Sequence, residues 1–165
     1  MNWRGFFLGL LVTAILFILA SGQPVVAWSG ECVGVVDGDT IEVMHDGRPE
    51  RIRLHGIDCP ESDQDFGTRA TEFTSLMVFG KVVEVAPTGA DKHGRPVAWV
   101  TVHGKSLNKE LVRVGLAWWY RWFAPEDKEL EALENEARKS RVGLWFHPSP
   151  VPPWNFRKPR KKKRE

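Results

Sequence analysis

Hydrophobic and polar positions alternate over short stretches of this chain and predict five β-strands. The stretches 33–36, 40–44 and 50–54 are apolar or alternating, and turns rich in Asp and Gly separate them. This pattern is typical of an antiparallel meander of three strands. Two further strands are predicted at 81–86 and 97–102, with a tight polar turn between them.

Helical periodicity predicts three helices among these strands. The first spans 68–79, the second begins after Ser106, which is a favourable N-cap residue, and the third spans 126–140 after Pro125. The helical positions expected to face the core are Ala70, Phe73, Leu76, Met77, Leu107, Leu111, Val114, Leu130, Leu133 and Ala137. Periodicity alone therefore indicates a small α+β domain.

The two ends of the chain differ from its middle in composition. Residues 6–20 form an uninterrupted apolar run before several small residues, which is typical of a secretory signal over 1–27 that is cleaved after Ala27. The run is shorter than the roughly 20 residues of a transmembrane helix, and an uncleaved membrane anchor is the alternative. A Pro-rich and polybasic tail covers 148–165, so the predicted folded domain is 28–147.

The net charge of +2 conceals a division within the chain. Residues 28–156 hold 15 basic and 20 acidic residues, a net charge of −5, whereas residues 157–165 hold seven basic residues and one acidic residue, a net charge of +6. An acidic body that binds a polyanion has to concentrate its positive charge locally. The basic tail could bind nucleic acid, contact an anionic surface, or remain a solvated end.

Cysteine and histidine are too few and too scattered to predict a zinc site. If the chain is exported, Cys32 and Cys59 meet an oxidising environment. A disulfide between them and a pair of free thiols are both open at this point.

Carboxylates and an arginine lie at turns and strand ends between residues 37 and 61. Asp39 belongs to the first turn, Arg53 lies on the third strand, and Asp58 and Glu61 follow that strand. Carboxylate oxygens suit calcium, and a guanidinium group suits phosphate oxygens. The pattern is what a hard cation and a phosphate need if they meet at one site.

An EF-hand is excluded as the explanation of these carboxylates. If Asp37 were the first position of such a loop, Ile41 and Arg48 would stand where ligands are required. Each residue also has an ordinary explanation when it is taken alone: Asp39 and Asp58 could be turn residues, and Arg53 could pair with a glutamate of the neighbouring strand. It is their joint occurrence that indicates a site.

Three motifs carry a family resemblance: Asp-Gly-Asp-Thr at 37–40, Arg-x-x-x-x-Asp-x-Pro-Glu at 53–61, and Asp-Lys-His-Gly-Arg at 91–95. In this order they resemble the staphylococcal nuclease (thermonuclease) family, over roughly residues 32–146. The resemblance implies an α+β fold, a five-stranded OB-fold (Greek-key) barrel with three helices packed outside. It also implies a sugar-nonspecific nuclease, which hydrolyses both DNA and RNA to products that carry a 3′-phosphate.

The same resemblance implies roles for individual residues. It implies oxygen ligands for Ca²⁺ from Asp39, Asp58 and the backbone carbonyl of Cys59. Glu61 is then the general base or positioning group for the attacking water. Arg53 and Arg95 bind the phosphate, and Arg95 also favours departure of the leaving group.

Two loops depart from the pattern of the best-known family member. His93 stands where that protein has a tyrosine, and the loop after Glu61 is shorter and carries Asp63 and Asp65 in place of lysines. These differences put substrate affinity and base preference in question, and they leave the catalytic residues in place.

The aromatic run at 118–123 departs as well, because Arg121 and Phe123 stand where the relative has tyrosines that stack on nucleotides. We expect more than half of the aromatic side chains in this run to be core. Tyr120, Trp122 and Phe123, together with His93, are the residues expected to contact nucleic acid.

The sequence thus predicts an exported, secreted or periplasmic, monomeric nuclease that requires calcium and cuts DNA and RNA. The alternatives are an OB-type module that binds nucleic acid without cutting it, a phosphodiesterase for small nucleotides, and a membrane-anchored structural protein. The binding module is disfavoured because both arginines and all three carboxylates are in place.

Overall fold

A computed structural model describes residues 26–157, and a closed β-barrel stands at their centre. In chain order the strands are β1 (Trp28–Asp37), β2 (Thr40–His45), β3 (Arg48–Leu54), β4 (Ile57–Asp58), β5 (Val82–Ala90), β6 (Pro96–Val102), β7 (Lys105–Ser106) and β8 (Trp118–Trp119). The helices are α1 (Gly67–Val78), α2 (Leu107–Arg113), α3 (Lys128–Lys139) and α4 (Pro153–Phe156), with a 3₁₀ turn at Gly143–Phe146.

Five of the strands close the barrel. β1, β2 and β3 form an antiparallel meander, β5 pairs with β1 and β6, and a parallel pairing of β3 with β6 completes the ring. The remaining strands are short: β7 pairs antiparallel with the end of β6, and β4 pairs with β8 in a separate two-stranded sheet. The predicted α+β fold with a five-stranded OB-fold barrel is confirmed.

Alternation along the strands builds the barrel core. Ile41 and Val43 on β2, and Ile52 and Leu54 on β3, are fully buried, while the residues between them face outward. Successive side chains of a strand point to opposite faces. Burying a side chain of this size contributes about 1.5–3 kcal/mol to stability.

The strands β1 and β5 are longer than the sequence predicted. β1 begins at Trp28, five residues before the predicted start, because residues 28–31 pair with residues 82–85 of β5. β5 continues to Ala90, although Pro87 and Gly89 are residues that commonly end a strand. A register shift between these two residues marks a bulge that accommodates them on the strand.

Most predicted helical core positions are confirmed, and Leu76 is wrong. The buried stripe of α1 follows Ala70, Thr74 and Val78, which leaves Leu76 78% exposed. Helix α3 starts at Lys128, two residues later than predicted, because the side chain of Asp127 caps it by accepting from the N–H of Leu130 at 2.8 Å. The predicted Ser106 cap of α2 is present.

The predicted signal segment, apart from its last two residues, lies outside the described residues, as do residues 158–165 of the basic tail. Within 26–157, none of the helices has the length and apolar character that crossing a membrane requires. Residues 148–157, the first part of the predicted tail, pack on the folded body. Trp154 joins a small second core with Trp118 and Trp145.

Candidate active site

Asp39 lies in the turn between β1 and β2, where its carboxylate is almost completely buried. Its Oδ1 accepts from Nη1 of Arg53, and its Oδ2 accepts from the N–H of Cys59 at 2.7 Å. Burial raises the pKa of Asp39 to about 7, although the nearby Arg53 lowers it. The carboxylate therefore needs cationic neighbours to remain charged at neutral pH.

Arg53 joins Asp39 to the second buried carboxylate. Its Nη2 donates to Oδ1 of Asp58 at 2.7 Å, and the Asp58 side chain is 0% exposed. Strand pairing explains why Arg53 contacts Asp39: Arg53 on β3 lies opposite Thr40 on β2, and Thr40 directly follows Asp39. Burial alone would lower the pKa of Arg53, and the two carboxylates outweigh burial and raise it, so the guanidinium stays charged.

Close packing fixes the turn that carries Asp39. A Cβ added to Gly38 would lie 2.7 Å from the Cβ of Ala70 and 2.9 Å from the Sγ of Cys59. The buried hydroxyl of Thr74 on α1 donates to the Gly38 carbonyl at 2.6 Å. Helix α1 thus packs against the turn and fixes its position. Position 38 has no space for a side chain.

Glu61 follows Asp58 after a short bend and remains partly open to solvent. Its backbone N–H donates to Oε1 of Gln64 at 3.2 Å, and its side chain is 36% exposed. Its carbonyl packs so closely on Gly67 that an added Cβ there would lie 1.8 Å from it. The backbone of Glu61 is therefore fixed at the start of α1 while its carboxylate faces the site.

An arginine that sequence analysis assigned to the tail completes this cluster. Nη1 of Arg157 donates to Oε1 of Glu61 at 2.5 Å, and Nη2 donates to Oδ2 of Asp58 at 2.6 Å. Arg157 and Asp58 are 99 positions apart. One feature of the sequence could have indicated this contact: Arg157 directly follows Trp154 and Phe156, two aromatic residues that can pack on the body.

Arg95 belongs to the turn between β5 and β6 and is bound within that turn. Its Nε and Nη2 donate to Oδ2 of Asp91 at 2.8 and 2.7 Å, and Oδ1 of Asp91 accepts from the backbone N–H groups of His93 and Arg95. Partial desolvation works in the opposite direction, but these hydrogen bonds lower the pKa of Asp91 to about 2.

The structure brings Arg95 to the site's end of the barrel without placing it in contact with the carboxylates. Val97, two residues beyond Arg95, pairs with Arg53 where β6 meets β3. Within the described part of the chain, the Arg95 side chain hydrogen-bonds to Asp91 alone. Of the six residues predicted for catalysis and metal binding, five are in direct contact or linked through Arg157, and Arg95 is the exception.

The predicted nucleic-acid contacts divide between surface and core. Trp122 and Phe123 are exposed, at 62% and 69%, Tyr120 is half-buried between them and Trp154, and His93 is exposed. Elsewhere in the run, Trp118 and Trp119 are buried on β8. The expectation that more than half of these aromatic side chains are core is wrong, because the chain turns outward after Trp119.

Both cysteines are free and buried. The thiol of Cys32 donates to the carbonyl of Gly34 at 3.4 Å, and Cys59 packs beneath Gly38. Burial raises the pKa of both thiols, which keeps them protonated and unreactive at neutral pH. Of the two states left open by the sequence, this structure has the free thiols.

The donor chemistry of the site fits a hard cation such as calcium. Asp39 and Asp58 supply buried carboxylate oxygens held on one guanidinium group, and calcium prefers oxygen ligands. Over residues 26–157, no three His, Cys, Asp or Glu side chains meet closely enough to form a cage by themselves. A cation here would accordingly take part of its coordination from backbone carbonyl oxygen or water.

Known proteins match most of the chain. Residues 51–147 match the family described as staphylococcal nuclease homologue. The chain is 38% identical to Protein ParB of Escherichia coli, over 94% of both chains. It is 40% identical to an uncharacterized endonuclease of Escherichia coli O157:H7, over 88% of this chain and 95% of that protein. It is also 35% identical to a micrococcal nuclease of Shigella flexneri, over 89% of this chain and 90% of that protein.

Proposed function

Because the chain belongs to the staphylococcal nuclease family and is a nuclease, we propose that it hydrolyses the phosphodiester bonds of both DNA and RNA with calcium, leaving a 3′-phosphate. The observation that carries the proposal is the bridge from Arg53 to Asp39 and Asp58, with Glu61 beside it. Two buried carboxylates next to a charged guanidinium group are the parts needed to hold a cation against a phosphate.

Each side chain then has a distinct task. Asp39, Asp58 and the backbone carbonyl of Cys59 would hold the cation. When bound, calcium supplies positive charge to a phosphate oxygen and so stabilises the charge that develops there. Glu61 is the exposed carboxylate of the cluster, so it is the one that can meet a water molecule and accept its proton or orient it.

The two arginines balance the negative charge of the reacting phosphate. Arg53 lies at the carboxylate pair, and Arg95 reaches the same end of the barrel on a turn braced by Asp91. Arg95 acts on the leaving oxygen while Asp91 keeps its hold on Nε and Nη2 of the guanidinium group. The exposed rings of Trp122 and Phe123 offer stacking surfaces for bases, which favours a polymer over a small nucleotide.

We test this function with the full-length chain, purified in a mild non-ionic detergent because of its apolar N-terminal run. It should degrade both single-stranded DNA and RNA in calcium and stop when a chelator is added. Glu61→Gln should lower kcat about 10²–10⁴-fold, the usual contribution of a general base. Glu110→Gln is the matched control, because Glu110 also accepts from an arginine, Arg113, but on the surface of α2.

Two outcomes would contradict the assignment. If nucleic acid is bound but not cut, the chain is a binding module. If Glu61→Gln cuts as fast as Glu110→Gln, the site lies elsewhere. Mapping the product ends distinguishes a 3′-phosphate from a 5′-phosphate.

The chain ends complete the proposal. Residues 1–27 direct export, to the exterior or the periplasm, and residues 158–165 provide positive charge for nucleic acid or an anionic surface. The protein acts as a monomer, which light scattering of the purified chain would test.

A further inference from the structure

The described part of the C-terminal tail, residues 148–157, packs on the body of the protein and reaches the site at Arg157; this segment is named the C-terminal strap. Successive contacts attach it to the body. The backbone carbonyl of Val151 accepts from Nε2 of Gln64 at 2.5 Å, in the loop that follows Glu61. Pro153 is buried at the start of α4. Contacts at several positions along the segment therefore fix where the strap lies on the body.

Trp154 is the main anchor of the strap. Its ring stacks on Tyr120 with 5.4 Å between centroids and an interplanar angle of 11°. Edge contacts with Trp118 at 5.5 Å and Trp122 at 4.9 Å surround it. Aromatic pairs of this kind are worth about 0.5–1.5 kcal/mol beyond the area that they bury.

Three residues beyond this anchor, Arg157 reaches the site. One of its two terminal nitrogens donates to Glu61, and both donate to Asp58, at 2.6 and 3.2 Å. Burial would lower the pKa of Arg157, but Asp58 and Glu61 raise it, so the group stays charged. A guanidinium group thus binds both oxygens of one proposed cation ligand and one oxygen of the proposed base.

A divalent cation and this guanidinium group compete for the carboxylate of Asp58. Both oxygens of Asp58 are engaged, one with Arg157 alone and one with Arg157 and Arg53. A cation that binds Asp58 would lie against two guanidinium groups on the same carboxylate, and the repulsion between these positive charges favours the departure of one of them. Arg53 is held on β3 in the barrel wall, whereas Arg157 lies at the end of a four-residue helix, so Arg157 is the group that leaves.

We propose that the C-terminal strap is autoinhibitory: through Arg157 it occupies the cation site of the metal-free enzyme and has to leave before a divalent cation binds. This inference rests on the proposed function, because it takes Asp58 as a cation ligand. It makes calcium affinity depend on how firmly the strap is closed. If the strap is closed in about nine of ten metal-free molecules, the apparent Kd for calcium is about tenfold above the intrinsic value.

Calcium binding to the full-length chain, measured by isothermal titration calorimetry in detergent, tests the proposal directly. Arg157→Gln should bind calcium about tenfold more tightly than the parent. Trp154→Ala should shift the Kd in the same direction, because it loosens the strap without touching a carboxylate. Arg113→Gln is the matched control: it removes an exposed arginine paired with Glu110, and its Kd should equal that of the parent.

Hydrogen exchange of the strap supplies an independent measurement. The amides of Phe156 and Arg157 are bonded to the carbonyls of Pro152 and Pro153, at 3.0 and 2.9 Å. In the parent, calcium should speed exchange in a peptide covering 148–157, whereas in Arg157→Gln exchange should already be fast without calcium. Circular dichroism of each variant verifies that the barrel is folded.

The outcomes separate the two proposals. Equal calcium affinity in the parent, Arg157→Gln and Trp154→Ala overturns the strap proposal and leaves the calcium site standing. Calcium binding that leaves exchange at 148–157 unchanged has the same meaning, because the strap would then remain closed on a loaded site. Absence of calcium binding in every variant overturns the calcium site and the strap proposal together.

Discussion

Replacing Asp39 with asparagine should change how stability depends on pH. The carboxyl is 2% exposed, and burial raises its pKa to about 7 although Arg53 lowers it. In the unfolded chain its pKa is about 3.9. Between about pH 4 and pH 7 the folded protein therefore retains a proton that the unfolded chain has released, and the free energy of unfolding falls as the pH rises through this interval.

The size of the effect follows from the two pKa values. A difference between about 3.9 and about 7 corresponds to about 4 kcal/mol of unfolding free energy, because one pKa unit is worth about 1.4 kcal/mol. Asparagine has the shape of the protonated acid and cannot ionise. At pH 5 the folded carboxyl is only about two pH units below its pKa of about 7, so the parent should lose about 2.6 kcal/mol more than Asp39→Asn between pH 5 and pH 8.

The assay is urea unfolding of the full-length chain in detergent and chelator, followed by tryptophan fluorescence at pH 5 and pH 8. All other titrating groups are common to both proteins, so the difference between the two curves isolates Asp39. Asp91→Asn is the control with the opposite sign. The pKa of Asp91 is lowered to about 2, so the stability that its charge contributes is lost only in acid, and its curve should run parallel to the parent's over this range.

A curve for Asp39→Asn that also runs parallel to the parent's would refute the reasoning. Calcium provides a second comparison. At pH 8, added calcium should stabilise the parent, because a ligand that binds only the folded state raises its stability. It should stabilise Asp39→Asn much less, since one proposed carboxylate ligand has been removed.

Three further predictions concern the frame around the site and the N-terminus of the protein. Asn108→Leu should lower the free energy of unfolding by about 3 kcal/mol in urea, because the N–H of Val100 and the carbonyl of His55 lose their side-chain partner inside the fold; a loss below 1 kcal/mol would contradict this. Asp91→Asn should lower kcat/KM about 10–100-fold at neutral pH by releasing Arg95 from its braced position, in a variant that circular dichroism shows to be folded; unchanged kinetics would show that the brace is dispensable. Mass spectrometry of the exported protein should find Trp28 at its N-terminus, and an intact Met1 would indicate an anchor instead.

The centre of the site could be predicted from the sequence because local rules determine it. Tight turns set the register of the meander, and that register places Arg53 opposite Thr40 and hence beside Asp39. Asp58 follows within five residues of Arg53, so its approach needs little tertiary information. The resemblance then supplied the roles, which the spacing of residues does not reveal.

What the sequence did not reveal depends on packing between distant segments. The start of β1 at Trp28 is set by pairing with β5, more than 50 residues away. Helical periodicity predicts Leu76 as a core position, but Thr74 lies on the buried side of α1, where it donates to Gly38, and Leu76, two residues further on, faces solvent. The sequence predicts Arg157 as part of the solvated basic tail. It reaches Asp58 because Trp154 packs on Tyr120 three residues earlier.

The charge balance of the site determines which cation occupies it. Asp39, Asp58 and Glu61 together carry three negative charges when ionised, and Arg53 offsets one of them. Arg157 offsets a second, which leaves one negative charge unbalanced in a site whose aspartates are buried. A divalent cation in place of Arg157 would balance all three, so the electrostatic free energy favours calcium over the C-terminal strap once enough calcium is present. On this argument the strap sets the calcium concentration at which the enzyme becomes active, and the negative charge of the carboxylates provides the free energy for calcium to replace Arg157.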